Sequence, residues 1–311
     1  MPSLRRDTIW QRLWKQKILI FMSIPFVIHL FIFRYVPIAG WLYGFTNANN
    51  PAGIAIPMFQ QEWVGFKNFI DIFSEPIFLM TLRNTLAMSV IKLVLGTVFA
   101  ILVAILINET RKGPFKRVVQ TISYLPHFIS WVVASNIVLE ILSPSGILNN
   151  ALVGLGILKQ PILFMGKPDL FWWIIGWSWV WKTAGFGAII FLAAMTGIDP
   201  QLYEAADMDG AGRLRRIWHI TLPGIQPVIM ITTIMNIGHL MQAGFEQQWL
   251  LKNPLVQDVS WVFQIFVFEY GIKLFRYSFS VAAGIFESVV SIVLLFAANR
   301  IAGLMRKETL F

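Results

Sequence analysis

Apolar residues run along this chain in uninterrupted blocks, several of them about 20 residues long. That is the length a helix needs to cross a hydrocarbon core of roughly 30 Å. Six spans are predicted: Lys17–Gly44, Thr85–Ile107, Val118–Leu142, Asp169–Thr196, Ile225–Phe245 and Phe279–Ile301. The fourth carries Trp172, Trp173, Trp177, Trp179 and Trp181 in its first half. Such rings favour the headgroup level, so its apolar core is expected to begin later. The first block follows a basic start and could open a signal peptide. It runs on past Pro37 with no small-residue cleavage site at a suitable distance, so it reads as a retained helix.

Three connections look structured. Phe45–Asn84 holds Val64-Gly65-Phe66-Lys67-Asn68-Phe69, and Ser143–Pro168, rich in Gly, Pro and Asn, is expected to turn back on itself. Gln248–Ser278 contains the run Trp261 to Phe268, apolar yet too short to span. It is expected to lie at the outer interface, against the ends of the spans or on a partner.

Composition agrees with a membrane chain. Of 311 residues, 57% are hydrophobic and 13% charged, against about a quarter charged in soluble domains. The absence of cysteine excludes disulfides, thiolate metal sites and cysteine nucleophiles. The formal charge of +9 would suit nucleic acid, but the basic residues gather in short segments between apolar blocks, which is a topology signal. Fifteen Lys and Arg fall in the N-terminus, 108–117, 197–224 and the tail; seven fall in the other, longer connections. Positive residues favour the cytoplasm, so both termini are expected there. The chain then divides into a cytoplasmic segment 1–17, a six-helix membrane domain 18–301 with a cytoplasmic loop 197–224, and a cytoplasmic tail 302–311.

No hydrolytic or phosphate-binding motif is present: no Walker-type loop, no His-Glu-x-x-His, no Gly-x-Ser-x-Gly. His29, His127, His219 and His239 are scattered over separate segments, so no metal site is expected. Ionisable groups within spans are Arg34, Lys92, Glu140, Lys182 and Glu287. Charges at that depth usually face a bundle interior or a water-filled path. No Asp lies in a span core, which argues against a proton-coupled carrier.

The loop between spans four and five is the most informative stretch. Asp199 suits an N-cap and Pro200 the first helical position; Gly210 suits a left-handed helix ending. A second helical turn follows, with Leu214, Ile217 and Trp218 on one face, and Leu222-Pro223 is expected to close it. Glu204, Asp207 and Asp209 precede Arg213, Arg215 and Arg216, while Ala205 and Ala206 leave a slim face that a groove on another protein could approach.

Glu204-Ala205-Ala206, then Gly210, then Ile220-x-Leu222-Pro223 nine residues later resemble the EAA motif of binding-protein-dependent ABC importer permeases. Trp181-Lys182-x-x-Gly185, Ile190 to Ala194, Val64 to Phe69 and Asn84-Thr85-Leu86 are similar to the sugar-importer branch. Gly244-Phe245-Glu246-Gln247 with Asn253-Pro254-Leu255-Val256 resembles permeases for complex oligosaccharides and polysaccharides. The likeness covers about residues 15 to 305. It implies an all-α, six-helix type I permease with a cytoplasmic coupling helix, in the cytoplasmic membrane of a bacterium.

By the same resemblance the partners are a second homologous permease, two copies of a cytoplasmic ATPase, a solute-binding protein outside, a carbohydrate and the bilayer, but no nucleic acid. No cofactor is expected in this chain, since ATP and Mg belong to the partner ATPase, and no enzymatic activity. The coupling residues would be Glu204, Ala205, Ala206, Asp207, Gly210, Ala211, Ile220, Leu222 and Pro223. Sugars want hydroxyl partners and flat apolar faces, which makes Asn136, Trp177, Trp181, Asn236, His239 and Gln242 candidates for the path, and Lys182 or Arg34 for an acidic saccharide. Lys252-Asn253-Pro254 is expected to contact the binding protein. Two alternatives stand beside this reading: the same architecture for a non-sugar solute, and an ATPase-independent carrier.

Overall fold

A computed structural model describes residues 14–111 and 113–304. The basic start before Trp14, Lys112 and the tail from residue 305 lie outside the described residues. Those described are nearly all helical, with one isolated bridge, Thr46 to Trp63, in place of any sheet. The chain divides into two compact units: Met1–Ile72 with Tyr270–Ile285, and Phe73–Glu269 with Phe286–Phe311.

In the first unit α1 (Lys17–Leu30) continues through one wide turn (Phe31–Tyr35) and a tight one (Val36–Phe45), so the run is 29 residues long. Its large side chains, Phe21, Phe26 and Phe33 among them, are exposed, as a lipid-facing helix requires. The following connection is built rather than loose. Asn68 is buried and donates to the Gly44 and Thr46 carbonyls, both at 2.9 Å, while Phe45 stacks on Trp63. The Val64–Phe69 run thus serves as a clasp within a connection expected to be structured.

The second unit rests on α3 (Phe78–Glu109) and α7 (Pro168–Thr196), its most extensive helix pair; α2 (Lys67–Ser74) precedes α3 in the chain, and α4 (Pro114–Tyr124), α5 (Trp131–Ile141) and α6 (Ile147–Gly154) lie between the two. At 1.5 Å rise per residue α3 is about 48 Å long, enough to cross a membrane and reach past it. Two apolar clusters pack along the pair: Met88, Phe171, Ile175, Val262 and Ile265 in one, Ala100, Ala104, Ala188, Phe191 and Ile225 in the other.

Two span expectations need correction. The block Val118–Leu142 is not one straight helix: α4, extended by the tight turn Leu125–Phe128, meets α5 at 101°. Pro126 supplies no N–H to continue the ladder, and Ser130 restarts it as an N-cap whose hydroxyl accepts from Val133 N at 3.3 Å. Five described helices are therefore long and apolar enough to cross a membrane, and six if the bent pair is one span. The fifth span also begins earlier and ends earlier than Ile225–Phe245, because Arg213 to Gly238 is one run.

That run comprises α9 (Arg213–Arg216), a wide turn (Ile217–Thr221) and α10 (Leu222–Gly238). Leu222-Pro223 therefore does not close the loop. The wide turn places its extra residue just ahead of Pro223, where a proline ring would otherwise crowd a regular helix. Beyond Gly238 the backbone is irregular to Gly244, and α11 (Phe245–Leu251) then starts afresh.

The connection Ser143–Pro168 turns back on itself as expected. Buried Asn149 ties its two arms, donating to the Ser143 and Ile162 carbonyls at 2.8 Å and accepting from Ile162 N. The run Trp261–Phe268, most of it in α13 (Phe263–Phe268), which follows the one-turn α12 (Gln257–Ser260), is packed down on the N-terminal end of α3. Val262, Phe263, Ile265 and Phe266 are fully buried; Phe263 N donates to Thr85 Oγ1 at 2.7 Å, and Asn84 Nδ2 reaches the Asp258 and Trp261 carbonyls. Replacing Asn84 with Ala leaves the Trp261 carbonyl without its side-chain donor and the Asp258 carbonyl with Arg83 Nη2 alone. We expect a loss of about 2 kcal/mol in stability, read as a lower melting midpoint of the purified membrane protein. The last long helix is α14 (Tyr277–Leu304).

Candidate functional site

Two features of the second unit could do work. The first is a cleft of about 470 Å³ between α3, α7, α10 and the irregular stretch 239–244. Non-helical backbone at membrane depth is tolerated where it is buried in protein or lines a water-filled cavity, and such breaks mark binding sites in transporters. The polar lining is Ser89, Lys92, Thr97, Thr183, Thr232, Asn236, His239 and Gln242, with Trp179 as an aromatic wall.

Local chemistry sets the directions of these groups. Thr232 and Thr183 return their hydroxyls to carbonyls one turn back, at 2.7 and 2.8 Å, which keeps the helices intact. His239 Nδ1 lies 2.8 Å from the Met235 carbonyl. A carbonyl only accepts, so Nδ1 carries a proton toward it. Lys92 is buried, donates Nζ to the Ala243 carbonyl and lies 4.8 Å from the Trp179 ring centre. It thereby pins the irregular stretch to α3.

The path candidates separate into groups. Asn236, His239 and Gln242 meet in this cleft. Trp177 and Trp181 line a different groove of about 440 Å³, against Ile137 and Ile141 of α5 and almost wholly apolar. Asn136 is exposed on α5 and lines neither. Lys182 is buried, donates to the His127 carbonyl at 2.8 Å and lies over Trp131, so it holds the bend between α4 and α5. Sequence reasoning had Lys92 only as an ionisable group within a span, and passed over Ser89 and Trp179 as cleft-lining residues. The charge at Lys92 was the one available signal.

The second feature is α8 (Pro200–Met208), a short exposed helix. Asp199 Oδ1 accepts from Gln201 N at 2.9 Å at its start, a cap worth about 1 kcal/mol. At its end Ala211 N donates to the Ala206 carbonyl and Gly210 N to the Asp207 carbonyl, with Gly210 at φ +72°, the paired bonds of a Schellman ending. Asp207 is paired with Arg216, and Tyr203 with Thr221 at 3.0 Å, which lashes α8 to the start of the fifth span. Glu204 and Ala205 face outward; Ala206, Ala211 and Ile220 are half-buried. Met208, Leu214 and Trp218 are 90%, 74% and 68% exposed. So many bare apolar groups beside charges make this an unusually apolar exposed surface.

Lys252 and Asn253, expected to contact the binding protein, are engaged internally. Lys252 pairs with Glu269 at 3.0 Å and sits 3.7 Å from the Trp249 ring centre, while Asn253 donates to the Met165 carbonyl at 2.9 Å. Pro254 and its neighbours Leu255, Gln257 and Asp258 are the exposed ones.

A chain of long apolar helices with a polar mid-length cleft, a helix break and an exposed capped helix is a membrane permease subunit. The match of residues 96–307 to the model for the inner membrane component of binding-protein-dependent transport systems makes it a member of that family. It is 39% identical over 308 residues to the polygalacturonan/rhamnogalacturonan transport system permease protein YteP of Bacillus subtilis, covering 99% of this chain and 94% of that one. It is also 39% identical to protein LplB of the same organism, over 100% of this chain and 93% of that one. Among solved structures, a bacterial ABC transporter involved in import of the acidic polysaccharide alginate superposes with a TM-score of 0.85 at 35% identity, covering 97% of this chain and 100% of that one.

Proposed function

We propose that this chain is the permease subunit of an ATP-driven importer for an oligosaccharide or polysaccharide delivered by a solute-binding protein. The observation that carries this is the end-to-end likeness, at 35–39% identity, to permeases whose names specify polysaccharide transport. A related structure is of the alginate transporter with an alginate pentasaccharide-bound periplasmic protein, at 35% identity and a TM-score of 0.85 over 98% of this chain and all of that one. A second, homologous permease completes the path, and two cytoplasmic ATPase subunits bind ATP and Mg. The exposed face of α8 around Glu204, Ala205 and Ala206 is the part that seats in an ATPase groove. Closure of the ATPase pair then moves α8 and, through the Asp207–Arg216 and Tyr203–Thr221 ties, the fifth span. The cleft alternates between the two sides of the membrane.

The test is reconstitution of the chain with its second permease, ATPase and binding protein in vesicles. Saccharide-loaded binding protein should stimulate ATP hydrolysis and drive uptake. Uptake without ATPase, driven by an ion gradient, would refute the reading.

Orientation follows from the basic segments, with both termini and α8 in the cytoplasm. Because the chain has no cysteine, single replacements report cleanly. Gly154→Cys should react with an impermeant thiol reagent from outside intact cells, and Gly212→Cys only after permeabilisation. The reverse pattern overturns the orientation.

For the binding protein we propose the exposed surface at Pro254 and Leu255 as the contact, with Lys252 and Asn253 holding it in shape. Pro254→Gly with Leu255→Ser should lower stimulation by loaded binding protein several-fold while basal ATPase and melting temperature hold. Lys252→Ala, which breaks the Glu269 pair and the Trp249 contact, should lower the melting temperature. Unchanged stimulation in the double variant removes the contact.

A further inference from the structure

The helix α4 is turned inside out relative to a surface helix of a soluble domain. Phe115, Val118, Ile122 and, in the turn at its end, Leu125 recur at spacings of three and four residues, which puts them on one face. They are 70%, 52%, 65% and 60% exposed. The opposite face is the polar one: Lys116, Gln120 and Ser123 are half-buried, and the Ser123 carbonyl lies against Gly185 of α7. Thr121, at the edge of the exposed face, returns its hydroxyl to the Arg117 carbonyl at 3.0 Å, so it needs no water. A face of this kind suits hydrocarbon.

Charge is gathered at one end of this stripe. Arg111, Lys112, Lys116 and Arg117 stand close together in the chain, and no Asp or Glu occurs between Glu109 and Glu140. Arg111 and Arg117 are exposed and pair with no described carboxylate. Basic clusters of this density, next to a membrane helix or on an amphipathic one, attract anionic lipid. From Arg117 to Leu125 the helix rises about 12 Å, close to the roughly 15 Å of hydrocarbon in one leaflet. Cations first, with Val118, Ile122 and Leu125 beyond them, is the order of a phospholipid: phosphate, then acyl chains. A protein covering the same face would have to bring carboxylates to one end and apolar groups to the other. One lipid molecule supplies both.

We propose that α4 and the turn before it bind an anionic phospholipid of the inner leaflet. Its phosphate is held by Arg111 and Arg117, and its acyl chains lie along Val118, Ile122 and Leu125. The choice of leaflet rests on the orientation above; the lipid class follows from charge and is independent of the cargo. A guanidinium suits the task because its planar fork meets two phosphate oxygens at once. The lipid bears on transport through the inward face of α4. That face meets α7 at Gly185, and Lys182 of α7 donates to the His127 carbonyl at the bend that follows. Bound lipid therefore braces α4 against the helix that carries Trp179, the aromatic wall of the cleft.

The experiment is native mass spectrometry of the complete transporter in mild detergent, with added phosphatidylglycerol or phosphatidylcholine of identical acyl chains. The unaltered transporter should retain phosphatidylglycerol about fivefold better, and added salt should narrow the difference. Arg111→Gln with Arg117→Gln should bring the preference below twofold, while Arg111→Lys with Arg117→Lys should keep most of it. Inorganic phosphate should not compete, because the apolar stripe supplies part of the binding. Ile122→Cys carrying a benzophenone, in nanodiscs containing phosphatidylglycerol, should cross-link to acyl chains on illumination. That readout leaves both arginines intact and keeps the test decisive if the double glutamine variant fails to assemble. Equal retention of the two lipids by the unaltered transporter overturns the site. So does an undiminished preference in the double glutamine variant, which would place the anionic lipid elsewhere. A cross-link from position 122 to the second permease or the ATPase also overturns it, since a protein then covers the stripe.

Discussion

Reversing the charge at Glu204, or forcing proline into position 210, should abolish coupling while leaving the permease in the membrane. Glu204 is exposed and makes no ion pair among the described residues, so Glu204→Lys removes nothing that holds the fold. It does place a cation where the partner groove is expected to receive an anion. Gly210 stands at φ +72° with open space where a Cβ would sit. Its constraint is therefore the backbone conformation and not crowding. Proline is fixed near −65° and has no N–H, so Gly210→Pro loses both the left-handed ending and the bond to the Asp207 carbonyl. We expect each variant to lower uptake and cargo-stimulated ATP hydrolysis at least tenfold, with unchanged membrane abundance for Glu204→Lys. Gly210→Ala, strained by about 1–2 kcal/mol, should fall between. Normal coupling in both severe variants would reduce α8 to a tether.

The largest effect on stability is expected at Gly185. A Cβ built there would lie 1.9 Å from the Ser123 carbonyl oxygen and 2.6 Å from its carbon. The obstruction is backbone, which cannot rotate away as a side chain can. Any side chain at 185 must push α4 off α7 at a crossing that a small residue makes possible. Overpacking of this kind costs about 1–3 kcal/mol where side chains can yield and more where they cannot. Gly185→Ala should therefore lower the melting temperature markedly and reduce accumulation in the membrane. Gly187→Ala, two residues on, is the control: its Cβ would meet only the Ala100 Cβ, at 3.4 Å. We expect it to melt as the unaltered protein does. Equal behaviour of the two variants would show that the crossing relaxes.

Gly185 also shows what the sequence could and could not reveal. It stood in the Trp181-Lys182-x-x-Gly185 run on which the family likeness partly rested, yet nothing local says what it touches. The partner, Ser123, lies 62 positions earlier on a helix whose bend at residues 128–130 the apolar pattern did not register. An unbroken apolar block records burial in lipid or protein; it does not record the direction of the axis. Pro126 and Ser130 were the local marks of that bend, and they carry weight only once α5 is seen to run across α4.

What the sequence determined by itself is of two kinds. Long apolar blocks give helices of spanning length because lipid offers no partner to an open backbone group, so each segment must satisfy its own. Asp199, Pro200 and Gly210 bound α8 because capping and left-handed endings are settled within a turn of chain. The tertiary structure alone decided which polar residues share a cleft. It brought Asn236, His239 and Gln242 together with Ser89, Lys92 and Trp179, and left Asn136, Trp177, Trp181 and Lys182 outside. In helices apolar all round, no stripe announces the inward face. Their rotation is fixed by close crossings such as Gly185 on Ser123 and by long-range ties such as Lys92 to Ala243, which join positions 62 and 151 residues apart in the chain.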